Sequence, residues 1–116
     1  MKIKFPTTLL KELRRASVKT GIEEKNKKKI IALISALVPT AKIYLFGSRA
    51  RGTHSKSSDI DIAIDAGERL PILAVGEIID VLAGTDIMLK IDVVDVHEVS
   101  EIMQKSIMDE AIVWKN

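Results

Sequence analysis

The chain reads as an α/β domain, with one small β-sheet flanked by helices. Three observations predict it. Residues 59–64, Asp-Ile-Asp-Ile-Ala-Ile, alternate branched apolar with polar or small side chains at a period of two. Apolar residues from Ile30 to Val38 recur at helical spacing. The two patterns then interleave along 116 residues, a length that suits one core.

The elements follow in order. Residues 7–19 read as a short helix, with Leu9, Leu10, Leu13 and Val18 along one side. Thr20-Gly21-Ile22-Glu23 fits a capping box, in which Thr and Glu side chains satisfy the free amides of a helix start. The helix it opens runs to about Val38, where Pro39 stops it; Lys27, Lys28 and Lys29 mostly face water. Lys42-Ile43-Tyr44-Leu45-Phe46 is a short β-branched and aromatic strand that ends at Gly47, and a polar loop spans 52–58. After the strand at 59–64, residues 70–82 read as a helix with Gly84 near its end, and 87–94 as a further strand. Asp95 and Glu98 look like a second capping pair, opening a helix through Met108, and 111–114 add a short edge strand.

Composition excludes several classes. The apolar fraction of 47% and charged fraction of 29% rule out a disordered chain. With no cysteine there is no disulfide scaffold, thiolate zinc site or cysteine nucleophile. No apolar run approaches the ~20 residues of a membrane helix, and the first residues lack a signal-peptide stretch, so the expectation is a cytoplasmic protein without a membrane partner. The net charge of +2 is polarised: residues 1–29 hold ten Lys or Arg against three Glu, the remainder eight against thirteen Asp or Glu. A basic head suits a solvated helix face, an acidic partner or nucleic acid. Only Phe5, Tyr44, Phe46 and Trp114 are aromatic, which leaves no ladder for stacking single-stranded bases and ranks nucleic acid last.

The strand at 59–64 carries the chemistry. Its isoleucines face one way, and Asp59, Asp61 and Ala63 the other. At a strand rise of ~3.3 Å the aspartate stems lie ~7 Å apart. At an effective dielectric near 20, such charges repel by about 2 kcal/mol. A fold keeps that pair if it meets solvent, a basic side chain or a cation. Asp92 interrupts the apolar run Ile91-Asp92-Val93-Val94; if that strand neighbours the first, a third carboxylate joins the face. Oxygen-only ligands suit Mg²⁺, and two such ions clamp in-line phosphoryl chemistry. In the turn Phe46-Gly47-Ser48-Arg49-Ala50-Arg51-Gly52, Gly47 lets a ligand approach the backbone, Ser48 offers a hydroxyl and an amide, and the arginines offer charge-assisted bonds. The plainer alternative is an ordinary turn with solvated arginines. His54 reads as a solvated loop residue, His97 as structural, Asp65 as solvent-facing, and Met88, Met103 and Met108 as core filler. Trp114 covers the sheet edge, with a partner surface as the alternative.

Gly47-Ser48, ten intervening residues, Asp59-x-Asp61 on a strand and Asp92 on a later strand together resemble the nucleotidyltransferase superfamily that includes DNA polymerase beta. More narrowly, Leu45-Phe46-Gly47-Ser48-Arg49-Ala50-Arg51-Gly52 with Ser58-Asp59-Ile60-Asp61-Ile62-Ala63-Ile64 resembles the minimal nucleotidyltransferases (MNT), small prokaryotic proteins commonly paired with a HEPN-domain protein as a toxin–antitoxin system. The resemblance spans about 30–114. It implies the small mixed sheet of the polymerase beta-like fold. It implies that Gly47, Ser48 and Arg51 bind the nucleotide triphosphate, with Arg49 a weaker carry-over. Asp59, Asp61 and Asp92 become the catalytic, metal-binding carboxylates for two Mg²⁺ ions, and Asp92 also acts on the attacking hydroxyl. ATP is the implied co-substrate, and a tyrosine of a HEPN partner the implied acceptor of AMP, within a homo- or hetero-oligomer. The domain is placed at 21–116, behind a basic helical extension over 1–20. The alternatives are an antitoxin that acts by occlusion without catalysis, and transfer to a small-molecule hydroxyl.

Overall fold

Ile60, Ile62 and Ile64 are completely buried, and the strand that carries them lies inside a four-stranded sheet. The computed structural model describes residues 18–116; the helix expected over 7–19 lies outside them except for Val18 and Lys19, which are irregular. The elements in order are α1 (Glu24–Leu37), β1 (Lys42–Phe46), α2 (Gly47–Arg51), β2 (Ile60–Asp65), α3 (Ala74–Ala83), β3 (Ile91–Asp95), α4 (Glu101–Glu110) and β4 (Ile112–Lys115). The sheet order is β3-β2-β1-β4. β1 runs antiparallel to β2 and β4, and β3 runs parallel to β2, so the sheet is mixed. Parallel strands need a crossover, and α3 lies in the one joining β2 to β3.

Strand alternation divides the apolar residues between two faces. On one, Ile43, Leu45, the three β2 isoleucines, Ile91 and Val93 pack with Ile30 and Ile34 of α1 and Ile78 and Leu82 of α3. The other face carries a smaller cluster of Tyr44, Ala63, Val96, Ile107 and Ala111, to which α4 contributes Ile107. Phe46, Val94 and Val99 pack partly buried against this cluster, and Phe46 lies opposite Asp61 in the register.

Several boundaries differ from the sequence reading. α1 starts at Glu24 with Glu23 as its N-cap and no capping side chain; Thr20 Oγ1 instead accepts the Ile22 amide at 3.3 Å, in a local turn. α3 starts four residues later than predicted, because Pro71 disfavours helical backbone at Leu70 and the Leu70 amide donates to Asp95 Oδ2 at 2.8 Å. β3 begins at Ile91, opposite Ile60 where β2 begins. Residues 87–89 mimic a strand only in burial: Ile87 and Leu89 pack on the core while Met88 is 96% exposed. Met103 and Met108 are exposed too, so none of the three is core filler. Asp95 is not a helix cap. It ends β3, is 2% exposed, and accepts amides from Leu70 and His97. The cap of α4 is Ser100, whose hydroxyl accepts from the Met103 amide at 3.2 Å. Lys28 is exposed as expected, but Lys29 pairs with Asp86 and Lys27 lies 5.8 Å from the centre of the Trp114 ring. Among the described residues no helix is long and apolar enough to cross a membrane.

Ser100→Ala is expected to lower stability by about 1 kcal/mol in urea denaturation, the usual effect of losing an N-cap. Glu98→Ala, which loses only an exposed pairing with Arg69, should cost less than that.

Candidate active site

The sheet register assembles the predicted residues. Phe46, the last residue of β1, pairs with Asp61, so the chain leaves β1 beside the aspartate row of β2. On the other side Asp61 pairs with Asp92 in the parallel ladder. Asp59 immediately precedes β2, two residues before Asp61. The condition set by the sequence, that the strand of Asp92 adjoin that of Asp61, is met.

α2 begins at once after β1. Gly47 has φ +77, and a Cβ there would overlap the Asp61 carboxylate, so glycine is required by backbone and by space alike. Ser48, next in the chain, is half-buried, and its hydroxyl has no hydrogen-bond partner among the described residues.

The two arginines of this helix part company. Residues two apart on a helix point in nearly opposite directions. Arg51 is half-exposed on the site side and donates to Glu110 Oε2 at 2.8 Å. Arg49 is 1% exposed, contrary to a solvated reading. Its guanidinium donates to the carbonyls of Thr20 (2.9 Å), Ser55 (3.4 Å), Lys56 (3.2 Å) and Ser58 (3.0 Å). It therefore pins the loop that delivers Asp59. His54 in that loop is not solvated: it is half-buried against Gly21, and its Nδ1 is buried without a partner among the described residues. Asp65 is tied as well, accepting the Gly67 amide and meeting His97 Nε2 at 2.7 Å.

Electrostatics marks Asp61 as the centre. Burial, then the charges of Asp92 and Asp59, push its carboxyl above the ordinary carboxylate value; Arg51 opposes this and Glu110 adds to it. Lys90 offers Asp92 a distant pairing at 3.5 Å, mostly in solvent. Among the described residues, no three His, Asp or Glu side chains converge into a ready cation cage. Asp59, Asp61 and Asp92 share a face without closing on a point, as expected of like charges facing one another. Their donor set, hard carboxylate oxygens only, fits Mg²⁺.

The chain matches the family "Polymerase beta, Nucleotidyltransferase" over residues 28–116. It belongs to that nucleotidyltransferase family. It is 34% identical over 88 residues to protein adenylyltransferase MntA of Shewanella oneidensis, a match covering 75% of this chain and 63% of that protein. The chain thus spans slightly less than two thirds of that relative's length. Among solved structures, it resembles a toxin–antitoxin crystallised with AMP-PNP (33% identity, TM-score 0.68, covering 77% of this chain and 72% of that one). It also resembles the complex of tri-AMPylated Shewanella oneidensis HEPN toxin with MNT antitoxin (29% identity, TM-score 0.65, covering 80% and 71%). The mixed sheet and the order of elements are those expected of the family.

Glu110 escapes sequence reasoning, and so does the part Arg49 plays: the sequence offers it only as a weaker phosphate contact, whereas it holds backbone carbonyls. Arg49 had a signal in its helical phase relative to Arg51. Glu110 had none, because it reaches α2 from the far end of α4.

Arg49→Lys, which keeps charge but loses the fork, is expected to cost roughly 3 kcal/mol in urea denaturation by stranding buried carbonyls. Arg51→Lys at the surface should cost under about 1 kcal/mol. For Asp61, a raised folded-state pKa means that ionisation opposes folding. Stability is therefore lost as pH rises from the ordinary value of 3.8 through the raised one. Asp61→Asn should raise the Tm of the metal-free protein at pH 7, and the gain should vanish on acidification towards pH 3.8.

Proposed function

We propose that this chain is a Mg²⁺-dependent nucleotidyltransferase that transfers AMP from ATP to a tyrosine hydroxyl of a HEPN-domain partner, and so acts as its antitoxin in the cytoplasm. The observation that carries this reading is the register setting Asp61 beside Asp92, with the Gly47 backbone against the Asp61 carboxylate. Support comes also from the adenylyltransferase named among its relatives and from the AMPylated HEPN toxin in a similar complex. We place the domain at 21–116, since Ile22 already packs on the core; residues 1–20 form a basic extension.

In this mechanism the triphosphate rests on the turn of Gly47 and Ser48, with Arg51 adding charge-assisted donors. The acceptor hydroxyl attacks the α-phosphorus in line. Its oxygen–phosphorus bond forms as the bond to the pyrophosphate oxygen breaks, and the hydroxyl proton passes to Asp92. Asp59, Asp61 and Asp92 would hold two Mg²⁺ ions, which when bound neutralise charge on the attacking and leaving oxygens. A protein acceptor suits the chain because its small second face leaves one side of the site for a partner to complete. Nucleic acid is disfavoured further by the engagement of Lys27 and Lys29 within the fold.

The test incubates the chain with a HEPN-domain protein, Mg²⁺ and α-labelled ATP. Label is expected on a tyrosine of the partner, with Asp61→Asn reducing the rate at least about 100-fold. Absence of label in a mixture that still forms a tight complex would replace catalysis with occlusion. Label on an added small-molecule hydroxyl, and none on the partner, would reassign the acceptor.

A further inference from the structure

Glu110 is the last residue of α4, and its carboxylate spans two groups of the nucleotide-binding turn. Oε1 accepts the Gly47 amide at 3.0 Å, and Oε2 accepts from Arg51 Nη1 at 2.8 Å. The side chain is only 22% exposed. Two favourable bonds and two repulsions meet on this carboxylate. The C-terminal end of a helix carries partial negative charge, and Glu110 also lies in the field of Asp61. A group held against those two repulsions by two specific bonds serves what it binds. α2, with five residues, is too short to hold its own geometry, since isolated helices of that length do not persist. Ala111, the next residue after Glu110, is buried beside Tyr44 and Ala63, so the strut is anchored in the second core.

We propose that Glu110 is a positioning residue of the nucleotide site, fixing the Gly47 turn and one edge of Arg51 so that Ser48 and the other edge of Arg51 face the phosphates. This rests on the nucleotide-site reading above. Glu110 does not compete with the triphosphate: the amide it takes belongs to buried Gly47, packed against Asp61, while the half-buried Ser48 hydroxyl is left without a partner among the described residues. A gripping arginine fixed in advance loses less freedom when the phosphates arrive.

The test is calorimetric titration of the full chain with Mg²⁺–AMP-PNP, for wild type, Glu110→Gln and Glu110→Ala, alongside thermal melts without nucleotide. The Gln variant keeps an oxygen for the Gly47 amide but presents a donor to Arg51. We expect Glu110→Ala to weaken binding about tenfold and Glu110→Gln to fall between it and wild type. The nucleotide-free Tm should stay within about 3 °C of wild type in the Gln variant. Unchanged or tighter binding in both variants, with normal binding by wild type, overturns the positioning role and leaves the nucleotide site standing. Weaker binding that tracks a fall in Tm of about 8 °C or more reduces Glu110 to a structural tie and overturns the proposal. No heat from wild type removes both readings together.

Discussion

The mutual repulsion of Asp59, Asp61 and Asp92 is the constraint around which this molecule is organised. Carboxylates on one sheet face do not gather of their own accord, so something stronger must hold them there. That force is burial on the opposite face. Ile60, Ile62 and Ile64 are wholly buried and alternate with the acids, so a slip of β2 by one residue would bury aspartates and expose isoleucines. The same alternation fixes β3, where Ile91 and Val93 are buried on either side of Asp92. Each buried branched side chain contributes on the order of 2 kcal/mol, against about 2 kcal/mol for one carboxylate pair. The hydrophobic face wins, and the acids are carried into register with it.

The two faces of the sheet therefore divide the labour. One carries the large apolar cluster with α1 and α3 and supplies most of the stability. The other carries the small cluster around Tyr44 and Ile107 and, beside it, the paired Asp61 and Asp92. Polar ties replace apolar packing there. Arg49 gathers four carbonyls from two loops, and Asp95 closes the chain around Leu70 and His97 through two amides. Buried charges of this kind add little net stability, but they define where loops run. Asp59, at the end of one such loop, is placed by them.

The strands and helices were legible in the sequence wherever period and burial agree, as in α1, β1 and β2. The aspartate row was legible because acids are conspicuous in a strand, and the Gly-Ser turn because it follows one. What escaped was tertiary in origin. Asp95 and Glu98 have capping spacing, but Asp95 was claimed by the Leu70 and His97 amides, and Ser100 took the cap. Residues 87–89 have strand-like burial with no strand beside them, because β2 begins only at Ile60. Residue type alone suggests core for the methionines at 88, 103 and 108, but type does not say which face of a helix or loop a side chain takes, and all three are exposed.

Beside the three carboxylates and Glu110, Arg51 is the basic side chain whose charge opposes the raised pKa of Asp61. Arg51 is half-exposed and already paired with Glu110, so it cannot neutralise the aspartate row. The row is left with excess negative charge beside a turn that offers donors. That combination suits a ligand that is itself divided, a cation for the acids and an anion for the turn. On the function proposed above, a nucleotide triphosphate carried with Mg²⁺ is such a ligand.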